Sequence, residues 1–206
     1  SMEAMADDLA DICEQVGEAP VVVGASMGGL VALSCEGLHY PGLLRGVVLV
    51  DITPKLESKG VNRIVSFMQA APAGFASLEE AADAIAAYRP DRPRTDNLDG
   101  LRKNLRLGED GRWRWHWDPA FLGNKVGSRI SEPDQLERAA ASLRVPTLLV
   151  RGRMSDLVSQ EGVEAFRRQC PQASYVDVAG AGHMVVGDRN DVFADAVIDW
   201  LDKTAA

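Results

Sequence analysis

The chain has 206 residues, 46% of them apolar and 25% charged, which suits one globular domain or one domain carrying an inserted subdomain. Its formal charge of −8 argues against nucleic acid as a partner, because an acidic surface repels a phosphate backbone. The three cysteines, Cys13, Cys35 and Cys170, are odd in number and lack metal-ligand spacing, so reduced thiols, a cytoplasmic setting and no metal are expected. No apolar stretch approaches the ~18–20 residues of a membrane span. The first residues lack the basic region and apolar run of a signal peptide.

In chain order, Met2 to Val16 is predicted as an amphipathic helix, with Met5, Leu9, Ile12 and Val16 at helical spacing and Gly17 ending it. Pro20 to Val23 is apolar, Val-rich and too short for a helix, so it reads as a buried parallel strand. Gly24 to Gly29 is a tight turn, and Leu30 to Leu38 continues as a helix with Cys35 on its apolar side. Further strands are expected at Gly46–Val50, Val145–Val150 and Ser174–Val178, and a last helix from about Asp191 to Asp202. Strands separated by helices imply an α/β fold, a mostly parallel sheet with flanking helices.

Residues 59–133 break that alternation. Gly60–Ala71 looks helical, and Ser77–Arg89 more so, because Ser77 with Glu80 forms a capping box. Pro90-Asp91-Arg92-Pro93 is a stiff break. Asn97–Leu107 reads as another helix, and Glu109-Asp110-Gly111 as a turn into a strand, Trp113 to Trp117. Three segments follow: a core part at 1–58, an inserted helical cap at 59–133, and a second core part at 134–206.

The turn Gly24-Ala25-Ser26-Met27-Gly28 matches the G-x-S-x-G nucleophile elbow. A strand reversing sharply into a helix holds its middle residue in a strained conformation. Small residues on either side let strand and helix approach closely. The Ser26 hydroxyl then stands at a helix N-terminus, where backbone N–H groups favour negative charge, and the Met27 amide is the candidate oxyanion donor. A plain Gly-rich turn cradling a phosphate is the competing reading, but neither G-x-G-x-x-G nor a P-loop lysine is present.

A serine nucleophile needs a base, and the base needs an orienting acid. His183, in Ala179-Gly180-Ala181-Gly182-His183 after the last strand, lies at the C-terminal strand edge, where open α/β sheets keep their sites. His39 reads as a surface or cap residue and His116 as a solvated strand position. Asp156 follows the Val145–Val150 strand and is the preferred acid. Asp51, in Val50-Asp51-Ile52-Thr53-Pro54, is its rival, with loop anchoring as the plainer reading. Asp188 reads as a loop or capping residue. Trp113, Trp115 and Trp117 share one strand face and either pack inside the cap or line an apolar acyl pocket. Met27 and Met184 flank site residues and either border the substrate or fill core.

The elbow, the Asp156 motif and the Gly-His turn, with Val50-Asp51-Ile52-Thr53-Pro54 and the tail from Gly180 through His183 to Asp191, together resemble the α/β-hydrolase superfamily, most nearly its bacterial serine esterases and cofactor-free haloperoxidase-like members. The resemblance covers nearly the whole chain. It implies a Ser26–His183–Asp156 triad, an acyl-enzyme route on a small or medium ester, lactone or thioester, and no cofactor. The same triad also serves C–C bond hydrolases, acyltransferases and perhydrolases, and a non-catalytic binding protein on this scaffold is the reading from another class. Such proteins place four strands and the second oxyanion donor ahead of the elbow strand. None is found in this sequence, so roughly 80 N-terminal residues are expected to be missing relative to the family's domain size. The first strand would then be an exposed apolar edge, and another copy or an N-terminal segment joins the small-molecule ester among the expected partners.

Overall fold

A computed structural model describes residues 1–122 and 133–204; part of the expected cap, residues 123–132, lies outside them. The chain divides into two compact units, Ser1–Val61 with Ser128–Ala206, and Asn62–Gly127. The elements in chain order are α1 (Met2–Val16), β1 (Val21–Ala25), α2 (Met27–Ser34), β2 (Gly46–Val50), α3 (Ser58–Gln69), α4 (Leu78–Tyr88), α5 (Leu98–Leu101), β3 (Leu105–Leu107), β4 (Trp113–Trp115), α6 (Pro133–Ser142), β5 (Thr147–Gly152), α7 (Gln160–Gln169), β6 (Ser174–Val178), α8 (Val185–Asp188) and α9 (Asn190–Thr204).

In the first unit four parallel strands form one sheet, in the order β1-β2-β5-β6. The central strands β2 and β5 are buried at every residue, which explains their continuous apolar runs. On one face Val48, Val50, Leu148 and Val150 pack against Val197 and Trp200 of α9. Alternation sends Val47 and Leu49 to the opposite face, where α2 crosses β1 and β2. Among the described residues β1 has one neighbour, and Val23 is exposed.

Helix α1 begins with the Ser1 hydroxyl accepting the Ala4 N–H and ends at Gly17, whose φ of 82° is left-handed. Its buried stripe is Met2, Ala6, Ala10 and Cys13, whereas Ile12 and Val16 are exposed. The expected stripe was the larger one. The small residues win this face because α1 packs on α2 and the turn after it. That turn is a wider, π-type coil, Cys35–His39, where the sequence pattern predicts continued α-helix to Leu38. Within it the buried Glu36 carboxylate accepts the Gly42 and Leu44 N–H groups, both at 2.8 Å. All three cysteines are buried free thiols, and burial pushes the Cys35 thiol up to about 11.

The second unit pairs β3 and β4 as an antiparallel hairpin. Where the pattern predicts helix over Asn97–Leu107, the helix stops at Leu101, and Leu105–Leu107 is strand because it faces β4, Leu105 opposite Trp115. In the turn, Arg114 forms a two-point ion pair with Asp110 and holds that carboxyl well below its usual range. The Ser77 hydroxyl caps α4 by accepting the Glu80 N–H, while Glu80 accepts the Ala76 N–H.

The strand-to-helix reversal after β1 rests on two glycines. A Cβ on Gly24 would sit 2.5 Å from the Gly28 carbonyl oxygen, and one on Gly29 would sit 2.5 Å from Ile52 Cγ2. Gly28, the second glycine of the motif, faces open space. Gly29→Ala is therefore expected to lower stability by about 1–3 kcal/mol through overpacking. Gly28→Ala should shift it by less than ~1 kcal/mol, in the stabilising direction for a helical position. Urea or thermal melts of the two variants measure the difference, and equal midpoints would show that the close approach is dispensable.

Candidate active site

Ser26 stands between β1 and α2 with φ 50° and ψ −120°, a backbone conformation that L-residues rarely hold. Its neighbours impose it. The Ser26 N–H donates to the Val50 carbonyl at 3.1 Å, and the Ser26 carbonyl accepts the Gly29 and Leu30 N–H groups of the first helical turn. The hydroxyl makes no capping bond to its own helix, so it is available to another partner. Met27 is the first residue of α2 and lies half-buried. Its N–H belongs to the helix-start donors that have no partner inside the helix, at the positive end of the dipole.

His183 follows β6 on a turn opened by Gly180, whose φ is 74°. Asp188 braces that turn by accepting the Gly182 N–H at 2.8 Å, the loop-holding role expected of it. The imidazole is largely buried and both ring nitrogens are engaged. Nε2 lies 3.2 Å from Ser26 Oγ and Nδ1 lies 2.7 Å from Asp51 Oδ2.

The acid facing His183 is Asp51, and the preference for Asp156 is corrected. Asp51 terminates β2 with φ 50° and is fully buried. Its Oδ1 accepts the Gly152 N–H at 3.0 Å, and its Oδ2 accepts the Ser155 hydroxyl at 2.6 Å as well as the His183 ring. Asp156 is half-buried, and its backbone carbonyl abuts Gly60. The loop Gly152–Val158 supplies donors to a carboxylate on the neighbouring strand. Ser155 carries no sequence signal of its own, since a serine beside an aspartate is commonplace; the strand-end position of Asp51 is the clue the sequence holds.

The other candidates sit elsewhere. Met184 precedes α8 as its N-cap residue and is exposed. Within the second unit Trp113 and Trp115 pack with Phe75, Leu78 and Leu105, as in the core reading of the tryptophans. Trp115 and Trp117 also line a pocket of about 340 Å³ together with Met68, Ala71, Pro72 and Leu122. His116 is exposed, and His39 ends the π-type coil. No cluster of three or more potential metal ligands occurs among the described residues, and no described helix is long and apolar enough to cross a membrane.

A strained serine at a strand-helix junction, a histidine bonded to it, and a buried aspartate behind the histidine are arranged at the C-terminal edge of a parallel sheet. The family model described as the alpha/beta hydrolase family matches residues 1–196. The chain belongs to the α/β-hydrolase family. It is 32% identical to the sn-1-specific diacylglycerol lipase ABHD11 of Mus musculus, over 98% of this chain and 65% of that protein. The chain thus spans slightly less than two thirds of that relative's length. Among solved structures, E-2-(acetamidomethylene)succinate hydrolase superposes with a TM-score of 0.82 at 25% identity, covering 96% of this chain and 72% of the other. An esterase from Mycobacterium tuberculosis superposes with a TM-score of 0.74 at 28% identity, covering 98% and 68%.

Proton NMR of this α/β-hydrolase should show a far-downfield ring N–H resonance from the His183–Asp51 bond. Asp51→Ala should abolish it and Asp156→Ala should leave it in place. The opposite pattern would return the acid role to Asp156.

Proposed function

We propose that this α/β-hydrolase is a serine hydrolase that cleaves a small or medium carboxylic ester, lactone or thioester by two-step acyl transfer. The carrying observation is the unbroken line from Ser26 Oγ through both ring nitrogens of His183 to the Asp51 carboxylate. The names of its relatives, a lipase, a hydrolase and an esterase, support the same chemistry.

In this reading His183 Nε2 removes the Ser26 proton as Oγ attacks the carbonyl carbon. Asp51 accepts a hydrogen bond from Nδ1–H throughout, which fixes the tautomer and stabilises the imidazolium that forms. The negative oxygen of the tetrahedral intermediate is held by the Met27 N–H at the start of α2. His183 then returns the proton to the leaving group. Water, deprotonated by the same nitrogen, attacks the acyl carbon and releases the acid, and His183 passes that proton to the departing Ser26 Oγ.

A fluorophosphonate probe should label the wild-type protein and fail to label Ser26→Ala. Hydrolysis of p-nitrophenyl butyrate should fall by about 10⁴-fold or more in Ser26→Ala and by roughly 10⁴-fold in Asp51→Asn, which presents the wrong hydrogen-bonding group to Nδ1. Asp156→Asn should stay within about threefold of wild type. Equal labelling of wild type and Ser26→Ala would remove the nucleophile assignment.

A further inference from the structure

We infer that Ser155 is a positioning residue for the acid, and that the loop Gly152–Val158 acts as a clamp on the Asp51 carboxylate, held shut by Arg151. This rests on the triad reading above and extends it to residues outside the triad. Ser155 Oγ accepts the Leu157 N–H at 3.1 Å and the Val158 N–H at 3.2 Å, so its own proton is directed at Asp51 Oδ2, 2.6 Å away. The Gly152 N–H occupies Oδ1. One loop therefore contacts both oxygens and sets the plane in which the carboxylate meets His183.

The loop is itself braced at both ends. Arg151 is buried, and its Nε donates to the Val158 carbonyl at 2.7 Å while its guanidinium pairs with Asp177 of β6 at 3.3 Å. At the near end, the Arg153 N–H donates to the Val178 carbonyl and the Met154 N–H to the Ala181 carbonyl, which belongs to the turn carrying His183. The acid clamp and the histidine turn are thus joined by backbone hydrogen bonds, and Arg151 closes the far side.

Oδ2 is shared by two donors, and the Ser155 hydroxyl draws on charge that would otherwise go to the imidazole. Without it, the carboxylate offers more of its charge to the Nδ1–H bond. The lost donor also frees the carboxylate to rotate away from the plane of Nδ1–H.

Steady-state hydrolysis of p-nitrophenyl butyrate by the full chain tests this. Ser155→Ala should lower kcat about 10- to 100-fold, the range for losing a hydrogen bond to a charged group. KM should stay within about twofold, and the downfield ring N–H resonance of the His183–Asp51 bond should shift. Ser155→Thr, which retains the hydroxyl, should restore the resonance and most of kcat. Arg151→Lys keeps the charge opposite Asp177 but loses the directed Nε donor, and should give a smaller loss of the same kind. Wild-type kcat and an unshifted resonance in Ser155→Ala would overturn the inference, as would a loss that Ser155→Thr does not recover. Should Ser155→Ala not fold, unaltered kcat and resonance in Arg151→Lys overturn it instead. Failure of the triad reading is visible separately, as hydrolysis that persists in Ser26→Ala.

Discussion

The Asp51 carboxylate is the constraint around which the rest of the site is organised. It is fully buried, and a buried carboxylate is tolerated only where hydrogen bonds replace the water it has lost. Three donors do so, one from the end of β5, one from the loop beyond it and one from the turn after β6. Each must be delivered to within hydrogen-bonding distance of one group. The three segments that follow β2, β5 and β6 are therefore coupled, and a displacement in any of them leaves a buried charge short of a partner.

The sheet register does much of that delivery. Ala25 of β1 pairs with Val50 of β2, so Ser26 and Asp51 each lie one residue beyond the last paired position. Both have an unusual positive φ of 50°. Val50 pairs in turn with Val150, which brings Gly152 and its N–H level with the carboxylate, and Gly152 pairs with Val178 at the root of the histidine turn. The contact between β5 and that turn is so close that a Cβ on Gly152 would collide with the Gly182 carbonyl. Strain at Ser26 and Asp51 is sustained because neighbouring strands hold both residues in place.

Strand-scale features of this chain were legible in the sequence because they depend on local pattern. The strands Gly46–Val50 and Ser174–Val178 match the sequence pattern to the residue, and the structure brings together Ser26 and His183, the pair that motif and strand-end position single out. What was not legible depends on tertiary contact. Nothing local distinguishes Ala6, Ala10 and Cys13 from Ile12 and Val16 as the buried side of α1, because the choice is made by how closely α2 approaches. Leu105–Leu107 becomes strand only because Trp113–Trp115 pairs with it. On the helix side, the glycine that close packing needs is Gly29 rather than the motif's Gly28, since its contact is with Ile52 beyond the end of another strand.

The choice between Asp51 and Asp156 belongs to the same class and shows what a motif omits. His183 Nδ1 requires an acceptor in the plane of its ring, and residues following either β2 or β5 are candidates by position alone. Both carry an aspartate, so residue type does not decide. What decides is the set of donors around each carboxylate. At Asp51 the β5 loop turns its backbone and the Ser155 hydroxyl inward, and an anion there is stabilised before His183 is counted. The segment after β5 holds the Asp51 carboxylate from the neighbouring strand, and the carboxylate at the end of β2 is the one that meets His183.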